Sequence, residues 1–404
     1  MTNPHCLVPS PTVTLGVMGG GQLGRMFVHA AQRMGFCTAV LDPDAQSPAG
    51  RVSHHHIQTG YTDPQGLAQL AATSAAITTE FENVPAAALA DLARYKPVAP
   101  AAECVAIAQD RAREKAHFMS CGVPVAPHAV ITTAAELAAI NPDLLPGILK
   151  TARMGYDGKG QVRVTTPAEL AAAWADLKSV PCLLEKMLPL ALECSVIVAR
   201  GADGTCVHLP VQRNLHRGGI LAVTEVYEEN VPSAPVNAAI AAAKSIAHGL
   251  QYVGVLCVEF FVLADGSLVV NEMAPRPHNS GHYSIEACDV SQFELQVRTL
   301  AGLPLTQPRL HSPAIMLNIL GDLWPGINGG RTPISQKSGS DPHLPAEPDW
   351  AAVLALPGAH LHLYGKAHPA IGRKMGHLTL TGATVEQVRA TALQAAAVLG
   401  IAPF

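Results

Sequence analysis

Strand-like and helix-like runs alternate from residue 13 to about residue 100, and this alternation constrains the fold more than any other feature of the chain. Residues 13–18 read as a short apolar strand, 22–34 as a helix and 36–41 as a second strand closed by the turn Asp42-Pro43-Asp44. Helices over 64–71 and 85–94 flank a strand at 75–78. Such a series predicts a parallel, doubly wound sheet. Beyond it the pattern changes. Asp110 suits the N-cap of a helix over 111–121. A smaller unit follows, with strands at 125–131, 147–151, 161–164 and 182–187 and helices at 134–140 and 167–177. From about residue 190, longer strands pair around Ala202-Asp203-Gly204 and Asp265-Gly266, with an alanine-rich helix over 236–250 among them. The Pro/Gly-rich stretch 325–345 reads as a loop.

A chain of 404 residues divides into roughly two to four domains. With 49% hydrophobic and 14% charged residues, a sizeable core is expected and disorder is not. Twenty-seven basic against 31 acidic side chains leave a net charge of −4, which gives no support for a nucleic-acid or anionic-membrane partner. The best apolar run, 187–199, is broken by Pro189 and Glu193 and falls short of the roughly 18 residues a membrane helix needs. The first residues lack the basic start and apolar stretch of a secretory signal. Nine cysteines without a CxxC pair read as free thiols in a reducing cytoplasm. His54-His55-His56 is expected at a strand edge, and no zinc-spaced ligand cluster appears.

Two glycine loops carry candidate chemistry. Gly19-Gly20-Gly21-Gln22-Leu23-Gly24 fits GxGxxG between a strand and a helix, where backbone amides favour an anion. Asp42 stands where an acidic ribose ligand of a dinucleotide site would. An NAD-dependent dehydrogenase, another phosphate site and mere tight packing all remain open on this segment. The second loop follows a strand ending in Lys150 and runs Arg153-Met154-Gly155-Tyr156-Asp157-Gly158-Lys159-Gly160-Gln161. Its glycines and cations suit a flap over polyphosphate; the alternative is a hairpin turn with a solvated lysine. Arg111 and Lys115 share a helix face at i and i+4 and, taken alone, read as a solvated pair.

The strands at 254–263 and 267–273 flank Asp265-Gly266, a favoured two-residue hairpin turn. That turn places Glu259 opposite Glu272, with Cβ atoms about 5 Å apart on one face. Like charges so placed repel unless a cation lies between them or one is protonated, and carboxylates with nucleotide phosphates are the usual magnesium environment. A bulge that shifts the register is the alternative. Two prolines hold the following Ala274-Pro275-Arg276-Pro277-His278 extended, so Arg276 reads either as an anchor for a small anion near the γ-phosphate or as the partner of a structural carboxylate.

Five ordered stretches go further. Gly21-Gln22-Leu23-Gly24-Arg25-Met26, the loop around Gly155 to Gln161, Asn214-Leu215-His216, the run from Ala274 through Pro275-Arg276-Pro277-His278-Asn279-Ser280-Gly281 to His282, and Gly372-Arg373-Lys374-Met375-Gly376-His377 resemble the N5-carboxyaminoimidazole ribonucleotide synthetases. The resemblance covers about 13–395 and implies an ATP-grasp fold, α/β and α+β, with an N-terminal doubly wound domain (12–110), a small ATP-grasp domain with the flap (111–188) and a large one with the C-terminal substrate region (189–404). It implies ATP as co-substrate, with Arg111, Lys150 and the flap residues Gly155, Tyr156, Asp157, Gly158, Lys159, Gly160 and Gln161 on its phosphates. Glu185, Lys186, Met187 and Leu188 would read adenine, Glu193 the ribose, and His216, Asn271 and Glu272 the rest of the nucleotide. Glu259 and Glu272 would hold Mg²⁺, two ions with Mn²⁺ as a substitute. Gln22, Leu23, Glu80, Tyr156, Asp157, Lys159, Arg276, Asn279, Ser280, Lys366 and Arg373 would contact 5-aminoimidazole ribonucleotide or bicarbonate. Arg276, Lys150, Asp157 and Lys159 would carry the catalytic charge. Ala274 stands where many ATP-grasp enzymes have Asn, and Lys159 where many relatives have Arg. The implied enzyme is a cytoplasmic homodimer that makes N5-carboxyaminoimidazole ribonucleotide. Another ATP-grasp ligase, of the formate-dependent transformylase or biotin carboxylase type, is the nearest rival.

Overall fold

The structure is a computed structural model that describes residues 6–155, 160–324 and 347–404. The N-terminal part comprises β1 (Thr14–Met18), α1 (Gln22–Arg33), β2 (Cys37–Leu41), β3 (His55–Ile57), α2 (Pro64–Thr73), β4 (Ala76–Thr79), α3 (Ala86–Ala93) and α4 (Ala102–Ala108). Its strands form a parallel sheet in the order β3-β2-β1-β4. The histidine run contributes to β3, the edge strand, as expected from the sequence. Buried on both faces, the strands are nearly continuous apolar runs, as a covered parallel sheet requires.

α5 (Arg111–Ser120), capped by the Asp110 side chain on the amides of Ala112 and Arg113, leads into the small unit. This holds β5 (His128–Ile131), α6 (Ala134–Ala138), β6 (Gly147–Thr151), β7 (Gln161–Val164), α7 (Pro167–Asp176) and β8 (Cys182–Lys186), with an antiparallel sheet ordered β5-β8-β6-β7. Strand β5 starts three residues later than the sequence pattern implies. Pro124 and Pro127 lack ladder donors, so only their carbonyls are used, by Val270 and Lys186.

A nine-stranded sheet takes up most of the remainder, in the order β14-β13-β9-β11-β12-β15-β17-β16 with β10 beside β9. Its elements are β9 (Leu190–Arg200), β10 (Cys206–His208), β11 (Gln212–Arg217), β12 (Ile220–Val226), α8 (Ser233–Gly249), β13 (Gly254–Leu263), β14 (Leu268–Ala274), α9 (Ser284–Ala287), α10 (Gln292–Ala301), β15 (Ala314–Leu320), α11 (Trp350–Leu354), β16 (Ala359–Leu363), β17 (Lys374–Thr381) and α12 (Val385–Leu399). α10 joins two cores. Val297, Leu300 and Ala301 pack with Leu15, Val17 and Phe27 of the parallel-sheet unit, while Leu295 packs with Ile197 and Cys257 of the large sheet. Each valine or leucine side chain so buried contributes on the order of 1.5–3 kcal/mol. The stretch 325–345, read as a loop, lies outside the described residues.

Candidate active site

The glycine amides of the first loop are taken by the chain's own groups. Gly20 N–H donates to Asp42 Oδ2 at 2.7 Å, and Gly21 and Gly24 N–H donate to the two Glu80 oxygens at 2.8 and 2.9 Å. A Cβ on Gly21 would stand 2.4 Å from Glu80 Oε1, so glycine is needed there for the close approach of this carboxylate. Asp42 also accepts the Tyr61 hydroxyl at 2.6 Å. The chain's own carboxylates thus occupy the place of a dinucleotide pyrophosphate, which corrects the anion-loop expectation.

Glu259 pairs with Glu272 across β13 and β14, but not by the route the sequence implied. The turn is a three-residue loop: Leu263 N–H donates to Ser267 O, and Gly266 takes φ +82°. Phe260, Phe261 and Val262 accordingly face Val270, Val269 and Leu268. That register alone would set Glu259 against Asn271. A bulge at Asn271 advances it by one residue and restores Glu272. The expected loop length and the expected absence of a bulge were both wrong, and their errors cancel at the site.

Burial and the neighbouring Glu272 charge push the Glu259 carboxyl up to about 7. Burial acts on Glu272 in the same direction, but Arg111, whose Nη1 is 2.9 Å from its Oε2, and Lys150 together outweigh it and hold the group below the usual range. Among the described residues no group of three or more His, Cys, Asp or Glu side chains forms a metal-ligand set. Two carboxylates that repel each other fit a hard divalent cation whose remaining ligands are phosphate and water.

α5 places Arg111, Glu114 and Lys115 on one face, and that face is not solvated. Lys115 is 2% exposed, donates to Asn271 O at 2.7 Å and is ion-paired with Glu185 Oε1 at 2.6 Å. The other Glu185 oxygen meets Lys150. Burial works against the Glu185 charge, yet Lys150 and Lys115 hold its carboxyl down at about 2. Lys186 and Met187 N–H are committed to Pro127 O and Pro146 O. Glu193 contacts His216 Nδ1 at 2.5 Å.

Arg276 is paired through Nε with Glu82, and its Nη1 donates to Pro277 O at 2.9 Å. Both readings of this arginine therefore meet, because Glu82 itself lines the cavity. Burial, with Arg276 alongside, keeps His278 neutral, and its Nε2 lies 3.3 Å from Glu259 Oε1. Lys366 Nζ donates to Lys374 O at 2.8 Å, and Arg373 Nη1 to His368 O at 2.5 Å.

One cavity of about 680 Å³ gathers much of this. Gln22, Leu23, Glu80, Arg111, Gly155, Glu259, Glu272, Arg276, Asn279, Lys366 and Arg373 line it. Lys150, Glu185, Lys186, Met187, Leu188, Glu193, His216 and Asn271 stand off its wall, as do Gly160 and Gln161. Ser280, expected at the substrate, is fully buried and bonds Ser195 and His278 instead. Tyr156, Asp157, Gly158 and Lys159 lie outside the described residues. The sequence reading missed Glu82, Glu114, Lys374, His278 and His282 as wall residues. The two histidines and Lys374 carried a signal, from their places in the run that follows Glu272 and in the stretch around Arg373; Glu82 and Glu114 meet the cavity only through the fold.

Models of the ribonucleotide synthetase preATP-grasp domain, the ATP-grasp domain and the phosphoribosylaminoimidazole carboxylase C-terminal domain match residues 12–109, 116–293 and 314–391. The N5-carboxyaminoimidazole ribonucleotide synthase of Brucella melitensis is 42% identical over 375 residues, covering 91% of this chain and 96% of its own. The chain belongs to the N5-carboxyaminoimidazole ribonucleotide synthase family. The synthase of Bacillus subtilis is 39% identical over 91% of each chain. The Staphylococcus aureus synthetase complexed with ADP superposes with a TM-score of 0.85 at 34% identity, covering 97% of this chain and all of that one. The Aspergillus clavatus synthase in complex with ADP and 5-aminoimidazole ribonucleotide gives 0.84 at 31% identity over 98% and 100%. The chain is thus an ATP-grasp ligase with an N-terminal preATP-grasp domain, and the dehydrogenase reading falls.

Proposed function

We propose that this synthase carboxylates the exocyclic amine of 5-aminoimidazole ribonucleotide with ATP and bicarbonate, through carboxyphosphate, in purine biosynthesis. The observation that carries the reading is the single cavity in which the carboxylate pair, Arg276 and the cationic segment of Lys366 and Arg373 converge. Bicarbonate oxygen attacks the γ-phosphorus and ADP leaves. The amine nitrogen then attacks the carboxyl carbon, phosphate leaves and the nitrogen loses its proton.

Glu259 and Glu272 would hold magnesium, two ions with manganese as a substitute, which when bound neutralises charge on the transferring phosphoryl group. Arg276, its side chain fixed by Glu82, anchors bicarbonate and the carboxylated intermediate. Its charge is secure, because Glu82 more than offsets the burial that opposes it. Lys150, held by Glu185, adds a point charge at the phosphates. Gln22, Leu23, Glu80 and Asn279 form the ribonucleotide wall. The three-part division at 110 and 188, a homodimeric assembly and a cytoplasmic location belong to the same reading. Among the described residues no helix is long and apolar enough to cross a membrane.

Coupled ADP release tests the reaction. Release should require both bicarbonate and the ribonucleotide; equal release without the ribonucleotide, or with formate in place of bicarbonate, would point to another ATP-grasp ligase. Lys366 and Arg373 are assigned to the 5′-phosphate. The glycines at 365 and 372, at φ +75° and +71°, let the chain turn sharply beside them. A charge-assisted bidentate contact contributes about 1.5–3 kcal/mol, so Arg373→Ala should raise KM for the ribonucleotide by about ten- to a hundredfold. KM for ATP should stay put, and the reverse pattern in steady-state kinetics would exchange the two sites.

A further inference from the structure

We propose that Glu114 and Lys115 are positioning residues that set the Glu272 carboxylate, and that Lys115 ties the same backbone to the phosphate lysine Lys150. The inference rests on Glu259 and Glu272 being cation ligands, as read above.

The bulge makes such help necessary. Asn271 is the extra residue of β14, so its backbone falls out of the regular ladder between β13 and β14. Buried backbone groups without partners are strongly disfavoured. α5 supplies the partners. Lys115 Nζ donates to Asn271 O at 2.7 Å and, more weakly, to Val270 O at 3.4 Å. Glu114 Oε1 accepts the Met273 N–H at 2.7 Å. Arg111 Nη1 takes the Glu272 carboxylate itself at 2.9 Å. Positions 111, 114 and 115 are i, i+3 and i+4 on one helix face. One face therefore grips three consecutive residues: the carbonyl before the ligand, the ligand, and the amide after it. Glu114 and Lys115 are each 2% exposed, so water does not compete for these bonds.

Lys115 has a second engagement. Glu185 Oε1 lies 2.6 Å from its Nζ, and the other Glu185 oxygen meets Lys150. Strand β8 of the small sheet and strand β14 of the large one are thereby joined through one ammonium group. The spacing between the phosphate lysine and the cation carboxylates is fixed by side chains that touch neither phosphate nor cation.

The test compares Lys115→Met, Glu114→Ala, Glu114→Gln and Glu272→Gln in the full chain. Mn²⁺ binding in the presence of ADP is followed by electron paramagnetic resonance, amide exchange at residues 271–273 in the metal-free protein by mass spectrometry, and turnover by ADP release. Lys115→Met and Glu114→Ala should each weaken Mn²⁺ binding and kcat by about ten- to a hundredfold, the usual effect of removing a group that orients a metal ligand. Exchange at 271–273 should quicken, while KM for the ribonucleotide changes little. Glu114→Gln keeps an oxygen for the Met273 amide and should behave nearly as the parent. If Lys115→Met does not fold, the contrast between Glu114→Ala and Glu114→Gln decides. Lower melting temperatures with unchanged Mn²⁺ affinity would make both residues merely structural and overturn the proposal. Glu272→Gln separates the two levels. If it leaves Mn²⁺ affinity intact, the cation reading itself fails. If it abolishes binding while Lys115→Met and Glu114→Ala bind normally, the positioning proposal alone fails.

Discussion

Glu272→Gln is expected to lower kcat by roughly a hundred- to a thousandfold or more, the scale of losing a preorganised electrostatic contact to the transition state. Glu259→Gln should do the same, since the two carboxylates face each other across one strand pair. Their effects on the metal-free protein should differ. Glu259 has its folded pKa raised to about 7 by burial and by Glu272. Its contribution to stability is thus fully present below the unfolded value near 4.5 and is lost as pH rises through about 7. At pH 8 the parent carries an ionised, mutually repelling pair, and Glu259→Gln relieves it. That variant should be more stable than the parent by something on the order of 1–3 kcal/mol at pH 8, with the difference vanishing near pH 4. Glu272→Gln should show no such gain, because it also deprives the buried Arg111 of its carboxylate. Chemical denaturation at the two pH values, with turnover measured alongside, checks both halves. Near-normal turnover of Glu272→Gln at ordinary magnesium would remove the cation site from the mechanism.

The parts of this site legible in the sequence are those fixed by local rules. The paired glutamates were legible because a hairpin ties strand pairing to a few turn residues, yet the pairing came out right only because a bulge at Asn271, weighed as the less favoured alternative, offset an unforeseen loop residue. Nothing in Val269-Val270-Asn271-Glu272 announces a bulge. Its bonding partners, Glu114 and Lys115, lie about 155 positions away in the chain and meet it only in the fold. The same distance hid the fate of the glycine loop. GxGxxG correctly marked a strand-to-helix turn, but the anion satisfying its amides is Glu80, delivered by the end of β4 rather than by a ligand. Periodicity found α1 and α8, which each present one face to a core. It did not find α10, where Gln292, Gln296 and Thr299 are buried with the apolar residues and only Glu294 and Arg298 are left on the open side, so the apolar face is interrupted by polar residues. Arg111 and Lys115 were recognised as sharing a face, but a face of charges reads as solvated until the carboxylates opposite it are known.

Glu185→Gln is expected to produce the largest loss of stability of any single change around the site. Its carboxylate lies between two ammonium groups, Lys115 and Lys150, with side chains only 3% and 8% exposed. Gln fills the same volume but leaves two buried cations facing each other without the carboxylate that pairs with both. Breaking a buried ion pair by removing one partner typically costs about 3–5 kcal/mol, because the remaining charge is stranded away from water. The pH dependence identifies the cause. Glu185 has its folded pKa held down to about 2 by the two lysines, against burial. The stability it contributes is present above the unfolded value near 4.5 and fades as pH falls toward 2. The parent should therefore lose stability more steeply than Glu185→Gln between about pH 5 and pH 3, and the two curves should converge in acid. A double variant, Lys115→Met with Glu185→Gln, leaves only Lys150 uncompensated and should be less destabilised than the sum of its parts. If Glu185→Gln instead lay within about 1 kcal/mol of the parent at pH 7 and kept its acid slope, the triad would be stabilised by its surroundings rather than by its charges.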